Sequence, residues 1–279
     1  MNEGATVARF RELHAAGCFV LPNPWDVGSA VMLHHLGFEA IASTSAGFAF
    51  SKGLPDGAAF VPRDLMLEHF VELAAATPLP VNADFQNGYA SDPEGVAENV
   101  TRCIATGVAG LSIEDATGLS DDPLYPEDLA VERIRAARVA IDASGVPLVL
   151  TARCEAALVG HPDAQRLILD RLTAFAEAGA DCVYAPDLRT LDQIAEVVRA
   201  VAPLPVNVLA GEKGPARTIA ELADLGVRRV SLGSALSRAA WGGFLRAARA
   251  LIEDGSFAGL EGSAPFTELD GIFTHHSGR

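Results

Sequence analysis

Short apolar runs rich in β-branched residues recur along the chain at an average interval of about 30 residues, and each is followed by a segment with helical signals. The eight runs span residues 18–23, 39–44, 79–85, 110–115, 147–153, 181–186, 204–210 and 228–233. Nearly continuous hydrophobicity is typical of parallel strands that are covered on both faces. Pro93 follows Asp92 at the start of one intervening segment and Gly107 closes it, which is the order expected at the two ends of a helix.

Eight strand–helix units joined by right-handed crossovers close most simply into an α/β fold, the (β/α)8 TIM barrel. An open, doubly wound sheet is the competing interpretation, but that fold usually carries a glycine-rich segment after its first strand. Here the first run ends in Pro22-Asn23-Pro24-Trp25-Asp26, so the barrel is favoured.

The chain divides into a barrel over residues 1–255 and a C-terminal helical extension over residues 256–279. The extension repeats apolar residues at Phe266, Leu269, Ile272 and Phe273, a spacing that suits a helix. We expect this extension to pack on a neighbouring subunit.

The charge balance restricts the classes of partner. The chain carries 36 acidic residues against 21 Lys and Arg, a formal charge of −15, which disfavours a nucleic-acid surface. No apolar stretch is long enough to predict a membrane span, and we expect a cytoplasmic location and no membrane partner. The two lysines, Lys52 and Lys213, lie in glycine-flanked segments, so Schiff-base chemistry is disfavoured.

Polar residues cluster where the predicted strands end. Asp84, Glu114 and Arg153 close three consecutive strands, and the carboxyl ends of parallel barrel strands meet at one mouth, where barrel enzymes place their chemistry. Burying these charges without mutual pairing or a cation would cost several kcal/mol. Carboxylate oxygens are ligands for Mg²⁺, which also takes oxygens from its substrate, so a small 2-oxo acid and Mg²⁺, or Mn²⁺ in its place, are indicated.

Several motifs in this order and spacing resemble one family. They are STSAGFAFSKGLPDG at 43–57, LPVNADFQNGYASDP at 79–93, AGLSIEDA at 109–116, LTARCEA at 150–156, GADCVYAP at 179–186, LPVNVL at 204–209 and VSLGSALSR at 230–238. Through them the sequence resembles the phosphoenolpyruvate mutase / isocitrate lyase superfamily, and within it the 2-methylisocitrate lyases. The resemblance implies a Mg²⁺-dependent barrel enzyme that makes or breaks C–C or P–C bonds beside a 2-oxo acid through an enolate.

The resemblance also implies roles for individual residues. Asp84 would be the principal metal-side carboxylate, with Asp56 and Glu114 holding metal-bound waters, and Arg153 would neutralise the enolate. Residues at three sites would contact substrate: Thr44, Ser45 and Ala46 around its carboxylate, and Asn207 and Arg238 at its distal part. The likeness further implies a homotetramer built from dimers that exchange their eighth helices.

Two departures from the family pattern bear on the chemistry. Gln86 stands in the metal-side motif where the family usually has a second Asp, so one negative charge is lost. The K-K/R-C-G-H loop that follows strand four in the lyases is replaced here by Ala116-Thr117-Gly118-Leu119-Ser120-Asp121-Asp122-Pro123-Leu124, which contains no Cys, Lys or His. Cys154, next to Arg153, is expected to be a buried structural thiol.

We therefore expect a Mg²⁺-dependent lyase or decarboxylase that cleaves a C–C bond of a small 2-oxo or 2-hydroxy di- or tricarboxylic acid through an enolate. Loss of CO₂, or protonation by water, would need no strong protein acid, which fits the missing loop. Two alternatives stay open: a P–C bond mutase or hydrolase acting on phosphonopyruvate or phosphoenolpyruvate, and a barrel that binds a 2-oxo acid without turnover.

Overall fold

The computed structural model describes residues 3–211, 214, 216 and 218–278; Lys213 lies outside the described residues. The strands are β1 Phe19–Leu21, β2 Ile41–Ala42, β3 Val81–Asp84, β4 Gly110–Glu114, β5 Val149–Arg153, β6 Cys182–Tyr184, β7 Val206–Leu209 and β8 Arg229–Ser231. Each lies inside one of the eight predicted runs, so the strand prediction is confirmed.

Helices alternate with the strands along the chain. They are α1 Glu3–Ala15, α2 Val27–His35, α3 Ser45–Ser51, α4 Arg63–Ala76, α5 Pro93–Ile104, α6 Glu127–Ser144, α7 Ala164–Glu177, α8 Leu191–Val201, α9 Ile219–Asp224, α10 Ala235–Asp254 and α11 Phe266–Ser277, with a 3₁₀ turn at Ala258–Leu260. The Asp92 side chain accepts a hydrogen bond from the Gly95 N–H at the start of α5, which confirms the predicted helix start.

All eight strands are parallel and lie in the order β1-β8-β7-β6-β5-β4-β3-β2. The pairing of β1 with β8, which sets Phe19 beside Arg229, brings the ends of the sheet together. At the remaining seam the Ala42 N–H donates to the Pro22 carbonyl over 3.0 Å. The fold is thus a nearly closed (β/α)8 barrel, as predicted.

Helix α1 precedes the barrel and covers its amino-terminal end, here called the floor. Val7, Phe10 and Leu13 of α1 form one buried cluster with Ala109 and Val149, which lie at the start of β4 and β5. A side chain at Gly110 would come within 2.7 Å of the Phe10 ring and 2.8 Å of the Val149 carbonyl oxygen, so the close approach of α1 requires glycine there.

The helices after β8 differ from the others in how little they bury. In the 20-residue α10 only Ser237 is buried within the chain, whereas α6 buries five residues against the barrel. Helix α11 contacts α2, where Phe273 lies next to Gly28. Packing of residues 256–279 on a neighbouring subunit stays a prediction.

Two further sequence expectations concern the cysteines and the membrane. Cys103, Cys154 and Cys182 are buried free thiols, and Cys18 is half-buried. Among the helices of the described residues, not one has the length and apolar character that crossing a bilayer demands.

Candidate active site

Three neighbouring strands bring Asp84, Glu114 and Arg153 together at the carboxyl end of the barrel, here called the mouth. Arg153 Nη1 donates to Asp84 Oδ1 over 2.8 Å, and Arg153 Nη2 lies 3.3 Å from Glu114 Oε2. The register that pairs Glu114 with Arg153 places the latter two side by side. The predicted convergence of these three side chains is therefore present in the structure.

Arg153 has two further neighbours. Its Nε donates to Glu155 Oε1 over 2.9 Å, and its guanidinium lies 4.9 Å from the centroid of the Tyr184 ring. Both contacts follow from the strands, because Glu155 is two residues beyond Arg153 and the β5–β6 register pairs Arg153 with Tyr184. One guanidinium thus serves three carboxylates and is fixed against an aromatic face.

The second oxygen of Asp84 is held by the segment after β2. Asp84 Oδ2 accepts the Ser45 N–H over 3.0 Å, and the Asp84 N–H donates to Ser43 Oγ over 2.8 Å. Residues 45–47 form the first turn of α3, and the Thr44 hydroxyl accepts the Gly47 N–H as its N-cap. Thr44 Oγ1 is thus occupied within the chain, and Ser45 and Ala46 remain half-buried beside Asp84.

Asp56 and Gln86 join the mouth from the other side. Gln86 Nε2 donates to Asp56 Oδ1 over 3.3 Å, and the Ser45 side chain also hydrogen-bonds Asp56. Asp56 exposes much of its surface, but the part that faces Asp84 is shielded from water, and this desolvation together with the charge of Asp84 raises the Asp56 pKa.

The same crowding acts on Glu114 and Glu155. Desolvation raises the pKa of Glu114 to about 8; Arg153 opposes the shift, and the charges of Glu155, Asp84 and Asp56 add to it. Desolvation also raises the pKa of Glu155 against the same Arg153. Because the positive charge of one guanidinium is smaller than the combined negative charge of these carboxylates, the mouth electrostatically favours a further cation.

The two residues expected at the distal part of a substrate lie in different places. Asn207 is buried and lines a narrow inner cavity of about 50 Å³ together with Asp84, Arg153 and Tyr184. Arg238 is exposed and lines a neighbouring cavity of about 260 Å³. Gly233 borders both cavities, so they adjoin at the end of β8.

The segment after β4 forms a small hairpin. Ala116 and Leu124 pair as an antiparallel bridge, and the Thr117 N–H donates to the Pro123 carbonyl over 3.0 Å. Its tip is exposed, including Asp121 and Asp122. Cys154 is fully buried, and burial raises its pKa well above the usual value, which confirms it as a structural thiol.

Tyr184 and Arg229 were not among the residues singled out from the sequence. Tyr184 lies under Arg153, and Arg229 lies in the barrel interior, where its Nε donates to Asn207 Oδ1 over 2.9 Å. The alternation of side chains along β6 and β8 was the available signal, since alternate residues of a barrel strand point inward.

The family model described as phosphoenolpyruvate phosphomutase matches residues 10–252 of the chain. The chain belongs to the phosphoenolpyruvate mutase / isocitrate lyase superfamily. Within it, an uncharacterized protein of Mycobacterium tuberculosis is 36% identical over 97% of this chain and 98% of its own length. The 2-methylisocitrate lyase of Shewanella oneidensis is 30% identical over 81% of this chain and 78% of its own length.

Solved structures of this superfamily agree. A protein of Burkholderia cenocepacia J2315, provisionally described as a lyase/mutase, is 47% identical, has a TM-score of 0.93 and covers 97% of this chain and 96% of its own. Oxaloacetate acetylhydrolase in complex with oxalate is 26% identical, with a TM-score of 0.87 over 99% of this chain and 96% of its own. The superfamily is one of lyases and mutases that act on small carboxylates, so the chain is that of an enzyme family.

Proposed function

We propose that the protein is a Mg²⁺-dependent lyase or decarboxylase that cleaves a C–C bond of a small 2-oxo or 2-hydroxy di- or tricarboxylic acid through an enolate. The observation that carries the proposal is the mouth itself: Asp84, Glu114 and Glu155 gather around the single guanidinium of Arg153. A cation fixed beside an excess of carboxylates suits a reaction in which negative charge develops on a bound oxygen.

The donor set fits a hard divalent cation. Within the described residues no three His, Cys, Asp or Glu side chains converge closely enough to form a direct ligand set, so one carboxylate, Asp84, with water between the ion and Asp56, Glu114 and Gln86 is the arrangement that fits Mg²⁺ or Mn²⁺. Three carboxylates, those of Asp84, Glu114 and Glu155, share the one guanidinium of Arg153, which supports a further cation at the mouth. A bound Mg²⁺ would supply Lewis-acid polarisation of the 2-oxo group.

The chain's own residues bind and orient the substrate. Arg153 neutralises the enolate oxygen, and its contacts to Asp84 and Glu155 hold the guanidinium in place before substrate arrives. Thr44, Ser45 and Ala46 receive the substrate carboxylate at the start of α3, and Asn207 and Arg238 meet its distal part from the two adjoining cavities. Glu114 and Asp56 keep water at the mouth in position.

The P–C bond alternative is favoured by the description of the matching family model. It would need cationic groups for the phosphonate beside the mouth, and the β4 hairpin offers Asp121 and Asp122 there. We therefore place C–C chemistry first, with a barrel that binds without turnover as the outcome if no panel compound reacts.

The test is turnover followed by NMR with and without Mg²⁺, using oxaloacetate, isocitrate, 2-methylisocitrate, 2,3-dimethylmalate, phosphonopyruvate and phosphoenolpyruvate. Mg²⁺-dependent cleavage of a carboxylate substrate supports the proposal. Turnover of the phosphorus compounds alone, or activity that chelation of the metal leaves unchanged, would contradict it.

We propose in addition a homotetramer of dimers that exchange α10. The support is the face of this helix: Trp241, Phe244, Leu245 and Ile252 are exposed, with Phe244 61% and Ile252 84% accessible. Such a face is stable in water only when another surface covers it. Phe244→Asp should lower the mass measured by light scattering, whereas Leu36→Asp, at an isolated exposed leucine of α2's C-terminal end, should not. A monomeric parent protein would contradict the exchange.

A further inference from the structure

Arg229 is a buried cation that no carboxylate of the described residues contacts. Its Nε donates to Asn207 Oδ1 over 2.9 Å, Nη2 donates to Thr151 Oγ1 over 3.1 Å, and Nη1 lies 3.2 Å from His14 Nε2 of α1. Arg229 is 2% exposed. Burying an arginine without a carboxylate partner costs free energy of folding. The contacts of Arg229 therefore indicate a role in orienting its neighbours.

The contact with Asn207 fixes the direction of a chain of hydrogen bonds. Because a guanidinium can only donate, the Asn207 oxygen must face Arg229 and the amide nitrogen must face away. Asn207 Nδ2 then donates to Ser231 Oγ over 2.9 Å. The Ser231 hydroxyl, having accepted this bond, keeps its own proton to direct toward the Tyr184 side chain, which lines the same inner cavity and whose pKa Ser231 lowers.

Tyr184 stands at the end of this chain of residues. Its side chain is 7% exposed and lines the inner cavity that Asp84 and Arg153 also line. Burial raises the pKa of Tyr184, against the opposing charge of Arg153, so the hydroxyl is protonated at neutral pH. The Arg153 guanidinium over the ring is placed to stabilise a phenolate should one form.

We propose that Tyr184 is the proton donor that quenches the enolate, and that Arg229, acting through Asn207 and Ser231, is the positioning residue that aims its hydroxyl. In this step the Tyr184 O–H bond breaks, a C–H bond forms at the enolate carbon, and the electron pair stays on the phenolate oxygen, which water in the cavity reprotonates. The inference rests on the proposed function and supplies the acid that the segment after β4 lacks.

Tyr89 is the competing donor. Its hydroxyl is buried without a hydrogen-bond partner among the described residues, and the charges of Asp84, Glu114 and Asp56 raise its pKa further after burial has done so. Among the described residues no chain of donors leads to the Tyr89 hydroxyl, whereas a chain from Arg229 through Asn207 and Ser231 leads toward Tyr184. Tyr89→Phe therefore belongs in the test as a rival.

The first experiment compares Tyr184→Phe with Tyr125→Phe, using the panel compound that the wild-type enzyme converts. General acid catalysis contributes about 10²- to 10⁴-fold, so Tyr184→Phe should lower kcat at least 100-fold with KM changed less than about three-fold. Tyr125 contacts Asn87 and Arg133 away from the inner cavity, and its Phe variant should stay within about two-fold of wild type. Rapid quench of Tyr184→Phe should show one equivalent of cleaved fragment per site, followed by slow turnover.

Binding of oxalate, a planar analogue of an enolate, separates proton donation from substrate binding. Tyr184→Phe should bind oxalate within about three-fold of wild type by calorimetry. Equal kcat in the Tyr184 and Tyr125 variants, a loss of oxalate affinity as large as the loss of kcat, or a loss confined to Tyr89→Phe would overturn the assignment. If the wild-type enzyme converts no panel compound, the proposed function itself fails, and this outcome is distinct from the others.

A second set of variants tests the positioning role. Arg229→Met removes the obligatory donor, and Ser231→Ala interrupts the chain with little change of volume. We expect both to lower kcat about ten-fold or more, with KM nearly unchanged in Ser231→Ala and raised in Arg229→Met, which also releases the substrate-binding Asn207. Arg229→Lys, which can still donate to Asn207, should restore a large part of kcat. If Arg229→Met does not fold, Ser231→Ala decides alone. Wild-type kcat in Ser231→Ala would overturn the positioning role.

Discussion

The two ends of the barrel interior have unbalanced charges of opposite sign. At the mouth, several carboxylates share Arg153, and the pKa of Glu114 rises to about 8. Toward the floor, Arg229 is surrounded by neutral partners, and beside it burial, reinforced by the Arg229 charge, lowers the pKa of His14 to about 3. Excess negative charge is thus concentrated at the mouth, and excess positive charge lies toward the end that α1 covers.

This difference distinguishes the buried acids of the mouth from the buried polar groups of the floor. A cation from solution can neutralise the repulsion between the carboxylates of the mouth, so this repulsion favours binding of a cation. At the floor, the Arg229 guanidinium is already held by Asn207, Thr151 and His14. Its polar groups therefore act through orientation, and variants at the two ends should fail in different ways.

The largest effect should follow from removal of the cation of the mouth. Arg153→Ala should reduce turnover by about 10³-fold, since it removes the group that faces the developing negative charge, and should cost about 3–5 kcal/mol of stability because buried acids lose their partner. Turnover assays and urea unfolding measure both. Arg135→Ala, at an exposed arginine of α6, is the control. Unreduced turnover in Arg153→Ala would remove the mouth as the active site.

At the floor, His14 should make stability depend on pH. Its pKa is about 3 in the folded chain and 6.5 as the ordinary value, so the unfolded chain binds the proton more tightly between these limits. Stability is therefore lost as pH falls from 6.5 toward 3, by an amount on the order of 5 kcal/mol.

Urea unfolding at pH 7 and pH 4.5 should show a smaller loss for His14→Gln than for the parent protein. His35→Gln, at an exposed histidine of α2, should behave like the parent. Identical pH dependence in the parent and in His14→Gln would mean that His14 is charged in the folded state.

Restoring a charge at Gln86 should sharpen the contrast between the ends. Gln86→Asp adds a carboxylate next to Asp56, and we expect Mg²⁺ to bind about ten-fold more tightly, because hard cations gain affinity with ligand charge. Calorimetric titration gives the affinity directly. An unchanged affinity would show that residue 86 does not face the cation.

The smallest effect on turnover is expected from substitutions outside the mouth. Asp121→Asn and Asp122→Asn remove acids at the exposed hairpin tip, and turnover should change less than about two-fold, because charges exposed to solvent are screened. A much larger loss in either variant would move part of the chemistry from the mouth to the hairpin.

Much of the fold and the mouth follows from local sequence. The eight apolar runs locate all eight strands, because a strand covered on both faces needs continuous apolar residues. Asp84, Glu114 and Arg153 are predicted together because each ends one of three neighbouring strands. The residues of the mouth can thus be predicted from the positions of the strand ends in the sequence.

The floor does not follow in the same way. Arg229 meets His14 and Thr151, which lie 215 and 78 residues away, so no short motif connects them. In the sequence, Arg229 is one of two consecutive arginines, Arg228 and Arg229. They differ only in that successive side chains of β8 point alternately into and out of the barrel. Tyr184 escapes notice for the same reason, since an aromatic residue in an apolar run is most often core.

The docking of α1 also bears on how the chain acquires its structure as it leaves the ribosome. Val7, Phe10 and Leu13 are synthesised before Ala109, Val149 and Cys182, which form part of the surface that α1 packs on. Helix α1 therefore cannot complete its packing contacts until Cys182 has been synthesised. Until then, the apolar side chains of α1 lack the surface that covers them in the folded barrel.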